Sequence, residues 1–108
     1  MAKTIMVVDD SKSVRAVIGT TLKMGGYTVL TAEDGNDALT QLNQSGSAAV
    51  DLIITDVSMP EMDGLALLSH LRNTEPYQQL PVIVLTAIGQ DEVREVAAQK
   101  GALRTRQM

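Results

Sequence analysis

The chain has 108 residues, 44% of them apolar, a formal net charge of −4 and no cysteine. That length suits one domain, and with two Tyr and no Phe or Trp its core must be aliphatic, with some of the six Met as gap fillers. The acidic balance argues against a nucleic-acid surface, and the missing thiols exclude disulfide frameworks, thiolate zinc sites and thiol catalysis.

Met1-Ala2-Lys3-Thr4 leads straight into a short apolar run, without the longer apolar region of a signal peptide. No stretch is long and apolar enough for a membrane span, so a cytoplasmic, soluble domain is expected. Thr4 to Val8 is continuously apolar, as in a strand buried on both faces of a parallel sheet. Asp9, Asp10 and Ser11 break it and can cap the next helix. That helix runs to about Met24, with Val14, Val17, Ile18, Thr21 and Leu22 on one face. Gly25-Gly26 ends it in the manner of a left-handed cap, and Tyr27 to Thr31 reads as a second strand.

A second helix opens at Glu33-Asp34-Gly35, with Asp34 and Asp37 near its positive end and Ala38, Leu39 and Leu42 as its apolar stripe. Asn43 to Ala49 reads as a loop, and Val50 to Thr55 as a third strand that delivers Asp56 to a turn. A third helix from about Asp63-Gly64 carries Leu65, Leu68 and Leu71 inward and leaves His70 exposed, a lone histidine with no metal partner. Asn73 to Pro81 is a polar loop, Val82 to Leu85 a fourth strand ending at Thr86, and about 89–100 a fourth helix closed by Gly101.

Strands alternating with helices predict an α/β domain with a parallel sheet and right-handed crossovers. Ligands of such sheets bind beyond the carboxyl ends of the strands, where the strand order reverses. That places Asp9, Asp10, Asp56 and Thr86 around one crevice if the first and third strands are neighbours. Converging carboxylates repel, and an all-oxygen donor set without a calcium-loop spacing favours Mg2+. With no Gly-x-x-x-x-Gly-Lys loop for a nucleotide, phosphoryl transfer to a protein carboxylate is the remaining reading of the cluster. The plain alternative is a set of solvated turn acids.

Val7-Val8-Asp9-Asp10-Ser11, Asp56-x-x-Met59-Pro60-x-Met62-Asp63-Gly64, Leu85-Thr86-Ala87 and Gly101-Ala102 together resemble the receiver domain of two-component response regulators, especially the single-domain chemotaxis type. The resemblance covers residues 4–102. It implies a flavodoxin-like three-layer sandwich with strand order 2-1-3-4. It also implies that Asp56 accepts a phosphoryl group from a histidine kinase, that Asp10 and, through water, Asp9 hold Mg2+ with the Ser58 main-chain carbonyl, and that Thr86 is the switch hydroxyl. Such a domain is no turnover enzyme; it promotes only its own phosphoryl transfer and dephosphorylation. Met59-Pro60 and Asp63-Gly64 are scaffolding on this reading, and the small Ala87 leaves access to the acceptor.

The family continues beyond Gly101-Ala102 with a fifth strand, a Lys-Pro pair and a fifth helix, whereas the sequence reads Leu103-Arg104-Thr105-Arg106-Gln107-Met108. The expectation is therefore a shortened receiver over 1–102 with a frayed basic tail over 103–108, and a fifth strand that is missing or replaced by the tail or a partner chain. The fourth strand would then be a sheet edge open to pairing. A homodimer through that edge or the first-helix face, with or without segment exchange, would restore cover, and signalling output would be impaired. Two other functions are weighed: a receiver-like dimerisation module that has lost signalling, and a phosphatase of the haloacid-dehalogenase type. The latter needs an acid two residues after its nucleophile, where this chain has Ser58.

Overall fold

A computed structural model describes residues 3–45, 50–56, 64–74, 77–86 and 104–107. The elements in chain order are β1 (Thr4–Val8), α1 (Lys12–Met24), β2 (Thr28–Ala32), α2 (Gly35–Ser45), β3 (Leu52–Asp56), α3 (Gly64–Arg72), a 3-10 turn (Tyr77–Gln79), β4 (Val82–Thr86) and β5 (Arg104–Gln107). The five strands form one sheet in the order β2-β1-β3-β4-β5, every pair parallel. The flavodoxin-like α/β fold with the 2-1-3-4 order is thus present. The helix expected at about 89–100 lies outside the described residues.

The end of α1 shows how local sequence fixes a turn. Gly26 has φ +92, the Gly26 N–H donates to the Lys23 carbonyl (3.0 Å) and the Tyr27 N–H to the Leu22 carbonyl (3.2 Å). This paired cap needs one left-handed residue, which glycine adopts without steric cost. Of the two glycines, only the second takes that role; Gly25 stays right-handed at φ −80.

At the start of α2, Asp34 Oδ1 accepts from the Asp37 N–H (2.8 Å), and Asp37 Oδ2 accepts in return from the Glu33 N–H (3.1 Å). Both bonds satisfy donors at the helix entry. The helix continues to Ser45, beyond the loop expected from Asn43. Its last turn is held from outside: the Tyr77 hydroxyl donates to the Leu42 carbonyl (3.2 Å) and lies 3.4 Å from Asn43 Oδ1.

The main core lies between the sheet and α2 and α3. Met6 and Val8 of β1, Ile53 of β3 and Val82 and Val84 of β4 meet Ala38, Leu42, Leu67, Leu68, Leu71 and Tyr77. Leu67 joins Leu68 and Leu71 in full burial, Leu65 packs at the margin and His70 is exposed, as its position on the helix implied. β1 is buried from Ile5 onward, because it is central and covered on both faces. β3 instead alternates, with Leu52, Ile54 and Asp56 half-buried and Ile53 and Thr55 buried. In β4, Ile83 and Leu85 are likewise half-buried between buried Val82 and Val84.

Residues 104–107 correct one expectation. They are a strand rather than a frayed tail, paired with β4 from Ile83↔Arg104 to Thr86↔Gln107. β4 is therefore not the sheet edge. A polar Arg-Thr-Arg-Gln segment has no local strand signature, and its state is set by the backbone groups that β4 offers it.

Candidate functional site at the carboxyl ends of β1 and β3

β1 pairs with β2 on one side and β3 on the other, so the strand order reverses there. The crevice beyond that point is where an open α/β sheet binds its ligand. The β1–β3 register is anchored at the far end by a reciprocal pair. Asp51 Oδ2 accepts from the Thr4 N–H (2.7 Å) and the Thr4 carbonyl accepts from the Asp51 N–H (2.8 Å). From there the ladder runs to Val8↔Thr55, one step short of Asp9 and Asp56.

Asp9 is 3% exposed although it is an acid at a strand end. Its backbone is still tied to the sheet, because its N–H donates to the Ala32 carbonyl (3.1 Å). Its side chain closes a tight turn, with Oδ1 accepting from the Ser11 N–H (2.8 Å). Short Asp side chains bond in this way to the backbone two residues on. Ser11 then caps α1, its Oγ accepting from the Val14 N–H (3.3 Å). Arg15 reaches back from the second turn of α1, and its Nη1 donates to the Asp9 carbonyl at 2.5 Å.

Asp56 is the last residue of β3 and pairs with Leu85 of β4. The buried Thr55 beside it donates Oγ1 to the Asp56 carbonyl (3.0 Å). Asp9 (buried), Asp10 (exposed) and Asp56 (half-buried) each offer a carboxylate oxygen within 4.8 Å of the other two. The three acids thus converge as expected. Thr86 ends β4 one residue beyond Leu85, at the same end of the sheet, but its side chain lies outside the described residues. Ser58, Met59-Pro60, Asp63, Ala87 and Gly101-Ala102 also lie outside them.

Burial pushes the Asp9 carboxyl above the usual carboxylate range. The Ser11 N–H opposes this, the Asp10 charge and a hydrogen bond with Asp10 add to it, and the Arg15 charge opposes it. A buried acid held against a second acid is electrostatically unfavourable without a cation. Among the described residues the cluster offers three carboxylates and no nitrogen or sulfur donor, a set that fits a hard divalent ion. The residues therefore fit a metal of that class.

Arg15 is the member of this site that the sequence reading missed. Its signal was positional: an arginine five residues after Asp10, just inside the helix that the acid loop opens. Nothing in spacing alone directs its side chain toward the Asp9 carbonyl.

A doubly wound parallel sheet with three acids at its switch point defines a class of acidic-site α/β domain. Residues 5–105 match the response regulator receiver domain family, and the chain belongs to it. The crystal structure of the chemotaxis protein CheY4 of Vibrio cholerae superposes with a TM-score of 0.87 at 33% identity, covering 97% of this chain and 85% of that one. A response regulator receiver domain protein from Clostridium thermocellum superposes with a TM-score of 0.88 at 28% identity, covering 97% and 81%. The DNA-binding transcriptional regulator NtrC of Salmonella typhimurium is 40% identical over 98 residues, covering 91% of this chain and 20% of that protein. The chain spans less than half the length of the curated relatives it matches, which are mostly transcriptional regulators. The single-domain chemotaxis type is compatible with the first likeness. Among the described residues no helix is long and apolar enough to cross a membrane.

Proposed function

We propose that this receiver domain accepts a phosphoryl group at Asp56 from the phosphohistidine of a histidine kinase in the cytoplasm. The observation that carries this reading is the convergence of Asp9, Asp10 and Asp56, with carboxylate oxygens mutually within 4.8 Å at the switch point of the sheet. An Asp56 carboxylate oxygen attacks phosphorus, the phosphorus–nitrogen bond breaks, and the imidazole leaves with its electron pair and takes up a proton. The product is an aspartyl phosphate. Asp10 and Asp9 would hold Mg2+, Asp9 through water, together with Asp56 and the Ser58 main-chain carbonyl. When bound, Mg2+ supplies positive charge against the phosphoryl oxygens. Thr86, at the end of the neighbouring strand, is the proposed hydroxyl that answers the new group.

Beryllofluoride, a phosphoryl mimic, tests the assignment. Its binding should require Mg2+ and vanish in Asp56→Asn. Equal binding by Asp56→Asn would move the acceptor elsewhere.

A second reading is favoured by a specific surface. Val17 of α1 is 67% exposed, and it lines an apolar groove with Val14, Ile18 and Leu85. We propose self-association through this first-helix face, where a second copy can present the same patch about a two-fold axis. The fourth-strand edge no longer competes for this role, because β5 occupies it. A module that dimerises and binds Mg2+ but takes no phosphate from small phosphodonors would be the signalling-dead alternative.

A further inference from the structure

Arg15 holds the acid loop from two sides. Its backbone N–H donates to the Ser11 carbonyl (3.0 Å), and its side-chain Nη1 donates to the Asp9 carbonyl (2.5 Å). The carbonyls that flank Asp10 at one residue's distance on either side are thus both bonded to one residue. Within the loop the Ser11 N–H is taken by Asp9 Oδ1 (2.8 Å), and the Asp9 N–H by the Ala32 carbonyl (3.1 Å). Asp10 is exposed, and no shared burial fixes it. Beyond its hydrogen bond with Asp9, its placement follows the backbone on either side of it.

Arg15 is half-buried and also lines a groove of about 410 Å³ between α1 and β2, with Lys12 and Lys23. Its guanidinium therefore lies between an open groove and the loop that carries Asp9 and Asp10. Here geometry and charge oppose each other. A fixed positive charge repels a divalent cation, so on Coulombic grounds alone Arg15 would weaken metal binding. A guanidinium that braces the loop would strengthen it, by presenting two carboxylates in a ready arrangement.

We infer that Arg15 is a positioning residue: it braces the Asp9-Asp10-Ser11 loop through the Asp9 carbonyl and so sets the divalent-cation affinity of the acid cluster. The inference rests on the proposed metal role of that cluster. It concerns the loop's geometry before any ion arrives and invokes no protonation change.

The sign of the effect separates brace from charge. Titration calorimetry with Mg2+, and electron paramagnetic resonance with Mn2+, measure affinity directly in the wild-type chain, Arg15→Met, Arg15→Lys and Lys12→Met. Removing the neighbouring cation in Lys12→Met should leave affinity unchanged or tighten it. Arg15→Met should weaken affinity roughly 10–100-fold, the usual effect of deleting an outer partner of a metal site. Arg15→Lys, which keeps a donor and the charge, should recover part of the loss. Arg15→Met binding as tightly as wild type, or more tightly, overturns the inference. Should Arg15→Met lack a cooperative melt, Arg15→Gln replaces it with the same two outcomes. A wild-type chain with no saturable binding would instead remove the metal role, and this inference with it.

Discussion

Tyr77 donates its hydroxyl to the main-chain carbonyl of Leu42, 35 residues earlier and 3.2 Å away. The ring is 5% exposed, and the bond joins the turn before β4 to the last turns of α2. It gives a buried helix carbonyl a partner that also fills core volume.

Tyr77→Phe should keep the packing and lose the bond, lowering stability by about 1 kcal/mol. For a domain of this size that corresponds to roughly 4–8 °C in melting temperature. Tyr77→Ala should cost about 3–5 kcal/mol, because a cavity is added. Urea unfolding midpoints measure both, and a Phe variant equal to wild type would show that the hydroxyl contributes nothing.

Gly26→Ala should destabilise by about 1–2 kcal/mol for backbone reasons alone. A methyl group there meets no heavy atom within 4 Å, so crowding adds nothing, and φ +92 is the whole cost. Gly26→Asn should cost less, since Asn tolerates the left-handed region. Thermal melts of the two variants should rank in that order; Ala melting above Asn would contradict this account of the cap.

The pH dependence follows from Asp9. Its folded pKa is raised, chiefly by burial, so the folded chain holds this proton more tightly than the unfolded chain does. Asp9 therefore favours folding below its ordinary range, and that contribution is lost as pH rises through the folded value. At neutral pH, without added metal, Asp9→Asn should therefore melt above wild type. The gap should close as pH falls through the raised pKa. Melting temperatures across an acid series in chelator test this, and a gap that widens on acidification would reverse the sign.

Self-association through α1 predicts that Val17→Asp yields monomers. Val17 is largely exposed, so the change should cost the single chain no more than about 0.5 kcal/mol. Sedimentation at micromolar concentration reads the outcome. A monomeric wild-type chain, or a dimer untouched by Val17→Asp, removes that face from consideration.

Much of the architecture is legible in the chain. Apolar runs of strand length ending in turn formers place β1, β3 and β4, and helical spacing places α1 and α3 within a residue or two. The acids of the site are legible because Asp9 and Asp56 each directly follow such a run. Other features left no local signal. α2 runs on to Ser45, past Asn43 where a loop is expected, and Tyr77 reaches across to its last turns. Tyr77 itself reads as part of a polar loop until its ring is seen in the core.

The succession of strands and helices, the acids at the strand ends and the family they announce are all written in the order of residues. Those follow from periodicity, capping and motif spacing, which are local. That Arg104–Gln107 is a strand, that Arg15 turns back onto the Asp9 carbonyl, and how completely each strand is buried emerge with the folded chain. The physical reason is common to all three. A backbone edge, a carbonyl or a covered face becomes available only through residues distant in sequence or through the direction a side chain takes. Linear patterning records a residue's own preference, and here the partner made the choice.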